Sequence, residues 1–261
     1  MQEQNIPLLN DERIDRVNED ILLIQKKEGL TFGTDAFLLA SFVRPEPSSH
    51  GVDLGSGSGV LPLLLLTKGK VASMTAIEVQ PAFADLIRRN ASLNKQDPLI
   101  RVLEADLREV SAKDLGKEAD LLLSNPPYMK ADSGKQNRVW EKNLARHEIA
   151  GDIFDFCAAA NRLLKYGGRF YLVYRPDRLT DLFSALREQR FEPKRMTLVY
   201  PDEKSEPCLV LVEAVKGAAV SLRVTRPLFL YTTDSKNKQT RELTKDAQRI
   251  YDTGSFADFE S

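Results

Sequence analysis

The chain has 261 residues, of which 42% are hydrophobic and 29% are charged, and its formal net charge is −1. This length and composition suit one large globular domain with a few added elements. No apolar run approaches the length of a membrane span, and the N-terminus lacks the basic start and apolar core of an export signal. Two isolated cysteines, Cys157 and Cys208, are typical of reduced core residues. We therefore expect a cytoplasmic protein without a membrane segment.

Charge is unevenly distributed along the chain. Between residues 216 and 249, three acidic residues stand against eight basic ones: Lys216, Arg223, Arg226, Lys236, Lys238, Arg241, Lys245 and Arg249. A local excess of this kind near one end predicts a phosphate-binding face. A solvated surface of helices and loops would give the same pattern, so both interpretations stay open.

In chain order, the first fifty residues begin with a short apolar segment at 21–25, which predicts a hairpin or an edge strand. A helix is predicted from Thr34, with Thr34 as its N-cap and Asp35 in its first turn. Phe37, Leu38 and Ala40 supply the apolar face of this helix. Prolines 45 and 47 mark the link into the next region.

From residue 51 onward, short β-like runs alternate with segments of helical length. The predicted strands are residues 51–54, 74–78, 100–104, 121–124, 169–174, 196–200 and 209–214. Helices are predicted at 81–93 and 154–164, where apolar residues recur with helical spacing. This alternation indicates an α/β fold, in which a parallel sheet is covered by helices.

A glycine-rich loop follows the first of these strands, where Gly55, Gly57 and Gly59 alternate with serines. Glycine lets the backbone approach a ligand closely, and the helix that follows offers free N–H groups. Nucleotides and adenosyl cofactors are both bound by such loops. Two details favour a methyl donor. Val60 stands where a dinucleotide fingerprint has a small residue, and Asp53 suits an ammonium group better than a pyrophosphate.

Two more acids follow at the ends of the next two predicted strands. Glu78 lies where a carboxylate accepts both hydroxyls of a ribose, as it also does in NAD enzymes. Asp106 can accept a hydrogen bond from the adenine amino group of a cofactor. Each acid taken singly could instead cap a helix. Together with Asp53 they place acids at three successive strand ends, which favours an adenosine-binding site.

The fourth predicted strand ends in Asn125-Pro126-Pro127-Tyr128, a turn whose two prolines fix the backbone. The amino group of adenine, like a glutamine amide, is a poor nucleophile because its lone pair is delocalised. The side-chain oxygen of Asn125 and the carbonyl of Pro126 can accept its two N–H bonds and aim the lone pair at a methyl sulfonium. Tyr128 can stack on the planar target. The alternative is a rigid turn in which Asn125 bonds its own backbone.

The segment after this turn predicts a substrate loop. It combines basic residues with one large aromatic ring: Lys130, Arg138, Trp140, Lys142 and Arg146. Basic residues around an aromatic ring suit an RNA backbone and a stacked base. An ordinary surface loop with Trp140 on the core is the competing interpretation.

The two isolated cysteines, Cys157 and Cys208, predict no metal site.

The order of glycine loop, Glu78, Asp106 and the turn from Asn125 to Tyr128 resembles class I methyltransferases that modify nitrogen. Residues 32–40 (FGTDAFLLA) and 145–148 (ARHE) are similar to the bacterial tRNA adenine-N6 methyltransferases that act on valine tRNA. This resemblance implies a Rossmann-like, seven-stranded, mostly parallel sheet with helices on both faces and the last strand antiparallel. It implies S-adenosyl-L-methionine as cofactor and N6-methyladenine at tRNA position 37 as product. It also implies that Thr34 and Asp35 help to close the cofactor pocket, and we expect Asn125 to contact the cofactor as well as the acceptor.

We divide the chain into an N-terminal cap (1–50) that contributes to the cofactor pocket, a methyltransferase domain (51–215) and a basic C-terminal extension (216–261) packed on or near that domain. Thirty residues, 232–261, follow Tyr231, where the family often has a short tail. Within them, Leu243, Ile250 and Tyr251 predict a short docked helix, followed by a mobile end.

Two alternatives to RNA adenine methylation stay open. Protein glutamine-N5 methyltransferases share the Asn-Pro-Pro-Tyr turn, but a helical bundle of some seventy residues usually precedes their sheet. A non-catalytic module that binds adenosine or RNA is the other alternative, although pure binding does not need that turn. RNA, in particular tRNA, is the expected partner, and a monomer is the expected state.

Overall fold

A nine-stranded sheet lies at the centre of this computed structural model, which describes residues 6–27, 33–126, 151–232 and 241–260. The strands are β1 (Glu12–Arg16), β2 (Leu22–Lys26), β3 (His50–Leu54), β4 (Ser73–Glu78), β5 (Ile100–Glu104), β6 (Ala119–Ser124), β7 (Leu164–Tyr174), β8 (Phe191–Tyr200), β9 (Leu209–Lys216), β10 (Arg223–Val224) and β11 (Leu228–Phe229). The helices are α1 (Thr34–Phe42), α2 (Val60–Thr67), α3 (Pro81–Leu93), α4 (Ala112–Leu115), α5 (Ile153–Leu163), α6 (Leu179–Glu188), α7 (Lys245–Thr253) and α8 (Ala257–Glu260), with a 3-10 turn at Pro176–Arg178. Within these ranges, no helix combines the length and the apolar character that a membrane crossing requires.

The sheet has the order β10-β8-β9-β7-β6-β3-β4-β5, and β11 also pairs with β8. The neighbours from β5 to β7 are parallel, whereas β9 is antiparallel to both β7 and β8. The predicted α/β class with a mostly parallel sheet is confirmed. The predicted antiparallel strand corresponds to β9, the last long strand in the sequence.

The expected number of seven strands is too low by two. The additional strands, β10 and β11, each pair in parallel with β8 through two residues. The chain after β9 therefore returns along the outer edge of β8 and satisfies backbone groups that an edge strand leaves open. Two-residue strands are too short to show an alternation of apolar and polar side chains, so no sequence pattern predicts them.

Apolar side chains cover both faces of the sheet. Successive residues of a strand point to opposite faces, as in β6, where Leu121 and Leu123 join one apolar cluster and Leu122 joins the other. The first cluster also includes residues of α1, α2 and α7, and the second includes residues of α5 and α6. Of the two cysteines expected in the core, Cys157 is buried but Cys208 is exposed, because it precedes β9 at the rim of the sheet.

The strands β1 and β2 form a separate antiparallel hairpin that docks on α3. Two side-chain amides, of Asn90 in α3 and of Asn94 just after it, take the place of a neighbouring strand. Asn90 bonds both backbone groups of Ile24, and Asn94 bonds both backbone groups of Leu22. Asn90 also donates to the carbonyl oxygen of Ser58, 2.9 Å away. The N-terminal hairpin is thereby tied to the loop that precedes α2.

The helix α1 begins at Thr34, but Gly33 occupies the N-cap position, so the prediction of Thr34 as N-cap is wrong. The reason is that the extended backbone at Gly33 leads directly into helical geometry at the next residue, and no side chain caps the first turn. At the other end of α1, the buried ammonium group of Lys70 donates to three carbonyl oxygens, those of Ala40, Ser41 and Val43. A cation at this position suits the negative end of the helix dipole.

The helix α7 packs beside α1. Tyr251 stacks on Phe37 with ring centroids 4.5 Å apart and the rings 11° from parallel. Phe256 and Phe259, just after α7, are buried, and Phe256 meets Phe42 edge to face at 5.4 Å. The predicted docked helix is present. The predicted mobile end is wrong, because these two phenylalanines hold the chain in the core through residue 259.

Candidate active site

Parallel strands bring the predicted site residues to one edge of the sheet. β3 pairs with both β4 and β6, and β4 pairs with β5, so the carboxyl ends of these four strands are neighbours. Asp53 lies in β3, Glu78 ends β4, Asp106 follows β5 and Asn125 follows β6. In open α/β sheets, ligands bind outside the carboxyl ends of the strands. The topology therefore gathers side chains from distant parts of the sequence at a binding edge.

The glycine loop folds over the end of β4. The backbone N–H of Gly55 donates to the carbonyl oxygen of Ile77 at 3.0 Å. A Cβ on Gly59, where φ is +79°, would lie 2.9 Å from the side chain of Ile87, so both the backbone conformation and the close approach require glycine there. At Gly57, φ is +56° and the space around a Cβ position is open among the described residues. The backbone at Gly57 is therefore accessible to a ligand.

Asp53 is fully buried, and among the described residues it has no cationic partner. Its Oδ2 accepts a hydrogen bond from the Ser56 hydroxyl at 2.5 Å. Within the described part of the chain, no donor reaches Oδ1. Burial raises the pKa of Asp53 to about 7; the Ser56 bond opposes this shift, and the Glu78 carboxylate adds to it. The site thus contains a buried acid with one oxygen available to a cationic group.

Glu78 joins the glycine loop to the start of α3. Its Oε2 accepts the backbone N–H of Gly57 at 2.9 Å, and its Oε1 accepts that of Gln80 at 3.0 Å. A carboxylate offers about four acceptor positions, so these two bonds leave capacity for ribose hydroxyls. The bonds hold this side chain, which is only 5% exposed, in one orientation beside the loop.

Asp106 is half-buried and forms a local turn with Arg108. Its Oδ1 accepts the backbone N–H of Arg108 at 2.9 Å, and its Oδ2 lies 2.5 Å from the guanidinium group. The bonds to Arg108 hold the pKa of Asp106 below its usual range. An adenine amino group at this position would therefore share the carboxylate with Arg108.

The turn after β6 is fixed to its neighbours on two sides. The hydroxyl of Ser124 donates to the carbonyl oxygen of Leu54 at 2.9 Å. The side-chain Nδ2 of Asn125 donates to Oδ2 of Asp35 in α1 at 3.0 Å, and Pro126 is buried. The other predicted residues of this turn and of the substrate loop lie outside the described residues: Pro127, Tyr128, Lys130, Arg138, Trp140, Lys142 and Arg146.

Thr34 and Asp35, which the resemblance places at the cofactor pocket, have different neighbours. The side chain of Thr34 hydrogen-bonds that of Tyr251 in α7, and this bond opposes the effect of burial, which raises the pKa of Tyr251. Asp35 instead faces Asn125. The first turn of α1 therefore lies between α7 and the turn after β6.

Two contacts of this site are missing from the sequence prediction. The bond from Ser56 to Asp53 spans three residues, and a serine in the loop is its only sequence signal. The bond from Asn125 to Asp35 spans ninety residues, and nothing in the sequence pairs these two side chains. Among the described residues, no group of three or more His, Cys, Asp or Glu side chains could hold a metal ion.

The basic C-terminal extension uses much of its charge within the chain. Four cations have partners there: Lys216 with the carbonyl of Leu164, Arg226 with Asp246, Arg241 with Asp202 and Arg249 with Asp258. Lys236 and Lys238 lie outside the described residues. The positive excess that this segment offers to a phosphate backbone is therefore smaller than the sequence count indicates.

The sheet order, the glycine loop and the carboxylates at the strand ends define a class I S-adenosylmethionine-dependent methyltransferase. The model of a protein family, the methyltransferase small domain, matches residues 27–189, which is more than half of the chain. The chain belongs to this family, and S-adenosyl-L-methionine is its methyl donor. The prediction of the enzyme class and of the cofactor is confirmed.

Individual relatives agree with this assignment. A tRNA1(Val) (adenine(37)-N6)-methyltransferase of Porphyromonas gingivalis is 30% identical over 187 residues, which are 69% of this chain and 72% of the relative. A protein of the same name from Parabacteroides distasonis is 26% identical over 225 residues, or 86% of this chain and 92% of the relative. The crystal structure of a predicted O-methyltransferase from Agrobacterium tumefaciens has a TM-score of 0.67 at 23% identity, and the match covers 85% of this chain and 97% of that one. This last likeness concerns the fold alone.

Proposed function

We propose that this protein transfers a methyl group from S-adenosyl-L-methionine to the exocyclic N6 of an adenine in tRNA, with position 37 of valine tRNA as its target. The observation that carries the proposal is the position of Asn125 and Pro126 at the end of β6, next to the strand that leads into the glycine loop. The names of the relatives from P. gingivalis and P. distasonis support adenine in tRNA as the acceptor.

The described residues fit the cofactor. The unbonded Oδ1 of buried Asp53 suits the ammonium group of its methionine part, and Glu78 suits the two ribose hydroxyls. Asp106 suits the amino group of its adenine, and the open backbone at Gly57 permits close approach. When bound, the cofactor supplies an electrophilic methyl group on a sulfonium. Thr34 and Asp35 border this pocket from α1.

Asn125 and Pro126 act on the acceptor. The side-chain oxygen of Asn125 and the carbonyl oxygen of Pro126 accept the two N–H bonds of the adenine amino group, so its lone pair becomes available on nitrogen. We assign to Pro127 the rigidity of the turn and to Tyr128 the stacking on the base, which has left its own stack. Positioning supplies most of the rate, and the proton leaves the nitrogen after transfer, so no dedicated base is required.

The remaining contacts follow from a tRNA substrate. We assign the RNA backbone and a stacked base to the segment after the turn, with the residues Lys130, Arg138, Trp140, Lys142 and Arg146. We keep the division into a cap (1–50), a methyltransferase domain (51–215) and an extension (216–261). Within it, α7 of the extension packs beside α1 of the cap. A cytoplasmic location agrees with tRNA as substrate. A monomer agrees with a cofactor site whose proposed contacts all come from one chain.

One transfer assay tests this proposal. Labelled S-adenosyl-L-methionine is offered with bulk tRNA from a strain that lacks the corresponding gene, and in parallel with purified release factor. We expect the label as N6-methyladenosine after digestion and mass analysis, and oligonucleotide mapping then gives the position. Label on a protein glutamine would contradict the proposal. The described residues before β3 form one hairpin and one helix.

A variant of Asn125 tests whether methyl transfer depends on the proposed site. Asn125→Ala removes the proposed acceptor oxygen, and we expect transfer to be nearly abolished while cofactor affinity changes by only a few-fold. Calorimetry measures the affinity on the same preparation. Turnover near that of the wild type would show that Asn125 does not accept the N–H bond of the target.

A further inference from the structure

The first turn of α1 meets the turn that follows β6. Nδ2 of Asn125 lies 3.0 Å from Oδ2 of Asp35, and both side chains are half-buried. The other oxygen of Asp35, Oδ1, accepts the backbone N–H of Ala36 at 2.8 Å. The carboxylate is therefore held through both of its oxygens.

This contact determines which way round the Asn125 amide stands. A carboxylate only accepts hydrogen bonds, so the branch of an amide that faces it must be the NH2 group. The reversed amide would turn its oxygen towards the carboxylate and leave two acceptors in contact, with no hydrogen bond to offset their desolvation. The oxygen of Asn125 consequently occupies the branch that points away from Asp35.

The position of Asp35 is itself fixed, because α1 is held at both of its ends. Next to Asp35, Thr34 hydrogen-bonds Tyr251, and Tyr251 stacks on Phe37 one turn further along α1. The last turn of α1 is held by the buried ammonium group of Lys70. A side chain on a fixed helix is placed more accurately than one on a loop.

We propose that Asp35 is a positioning residue for methyl transfer, which orients the Asn125 amide so that its oxygen accepts an N–H bond of the target amino group. This inference rests on the proposed function, because that function gives Asn125 its acceptor role. It assigns to Asp35 the orientation of Asn125, in place of the part in closing the cofactor pocket that the resemblance implies. A displacement of about 1 Å in a reacting group costs roughly a hundredfold in rate. The loss of Asp35 should therefore lower kcat and leave cofactor affinity nearly unchanged.

An exchange of the two side chains tests this pair. Asn125→Asp alone places two carboxylates in contact, and we expect kcat with bulk tRNA to fall by about a hundredfold or more. Combined with Asp35→Asn, it again places a donor opposite an acceptor and keeps an acceptor at position 125. We expect the double variant to recover at least about tenfold over Asn125→Asp. Glu104→Gln, an exposed carboxylate at the end of β5 that pairs with Arg88, is the control and should keep the wild-type rate.

A second readout needs neither tRNA nor cofactor. Two carboxylates in contact raise the pKa of one of them, so the folded Asn125→Asp variant holds a proton that the unfolded chain has lost. Its melting temperature should fall from pH 5 to pH 8 more steeply than that of the wild type. The double variant should lose this extra slope.

The outcomes separate this inference from the proposed function. If the wild type methylates no tRNA but the pH signature appears and is removed by the exchange, the tRNA proposal fails and the pairing stands. If the double variant restores neither rate nor melting temperature, the pairing is wrong. Calorimetry of Asp35→Ala completes the test. A loss of cofactor affinity beyond about tenfold at unchanged kcat would make Asp35 a cofactor ligand and overturn its positioning role.

Discussion

Two buried carboxylates, Asp53 and Glu213, have opposite surroundings. Glu213, 2% exposed, has guanidinium groups close by, with Arg195 at 2.8 Å and Arg169 at 3.2 Å. Asp53, 0% exposed, has only the hydroxyl of Ser56 among the described residues. A buried charge is costly unless it is paired, and an unpaired acid shifts its pKa instead. The chain supplies the counter-charges of Glu213 itself, whereas Asp53 has none among the described residues and takes a raised pKa instead.

The places of the two acids in the fold explain this difference. Glu213 lies within β9, and its partner Arg195 covers the ring of Phe42 and donates to the carbonyl oxygen of the same residue, so the cluster joins α1 to the sheet. Asp53 lies at the edge where the glycine loop begins. The cations around a buried acid therefore distinguish the structural role of Glu213 from the ligand-binding role proposed for Asp53.

The largest expected effect is a loss of stability when the charge of Glu213 beside Arg195 is removed. Glu213→Gln leaves the guanidinium group of Arg195, 3% exposed, without its buried counter-charge. We expect the free energy of unfolding to fall by about 3–5 kcal/mol, measured by urea denaturation. Asp258→Asn removes an acid from an ion pair with Arg249 in which both side chains are more than half exposed, and should cost less than about 1 kcal/mol. Similar losses in the two variants would contradict the structural role of the cluster.

Replacing the carboxylate of Asp53 by an amide should spare the stability of the protein and weaken its binding of the cofactor. Asp53→Asn removes an acid that the ligand-free protein does not pair, so its stability in urea should stay the same or rise. Affinity for S-adenosyl-L-methionine should weaken by roughly 10- to 100-fold, the size of one charge-assisted hydrogen bond. Calorimetry measures the affinity, with Glu104→Gln as the unaffected control. An unchanged affinity would remove Asp53 from the site.

A smaller effect follows from the raised pKa of Asp53, about 7. Below that pH the folded protein holds Asp53 protonated, and a neutral acid does not pair with an ammonium group. Affinity for the cofactor should therefore rise about tenfold between pH 5.5 and pH 7. In the ligand-free protein the sign is opposite: Asp53 makes the free energy of unfolding fall as pH rises from about 4 to about 7, since the unfolded chain loses this proton first. Both trends should be absent from Asp53→Asn.

The smallest expected effect concerns surface charges and the salt dependence of tRNA binding. Arg138 and Lys142 are predicted to meet RNA, whereas Arg249 is paired within the chain. Neutralising Arg138 and Lys142 together should weaken tRNA binding and lower its logarithmic salt slope by about two. Arg249→Gln should leave the slope within experimental error. An unaltered slope in the double variant would move the RNA surface elsewhere, with the extension as the next candidate.

Much of the fold follows from local patterns in the sequence. The helix α3 occupies the predicted residues 81–93, because its apolar side chains recur with helical spacing and Pro81 starts it. The predicted strands all fall within β3 to β9. The strands β10 and β11 escape prediction because their pairing depends on the open edge of β8, which only the folded sheet provides.

The candidate site also has a part that the sequence predicts and a part that it does not. The positions of Asp53, Glu78, Asp106 and Asn125 follow from one rule, since the carboxyl ends of neighbouring parallel strands meet. The contact between Asp35 and Asn125 does not follow from any rule of spacing. It depends on how α1 lies across the sheet, which is set by long-range contacts such as those of Lys70. Long-range packing of this kind does not appear in the local pattern of the sequence.

The stacked rings of Phe37 and Tyr251 have a consequence for the order in which the protein is made. Helix α1 is synthesised more than two hundred residues before Tyr251 is added. Contacts between such distant residues form late, because a long loop must close before they can be made. During synthesis the first turn of α1, with Asp35, therefore lacks its lateral support. The nascent chain should acquire an ordered methylation site only after α7 has been translated.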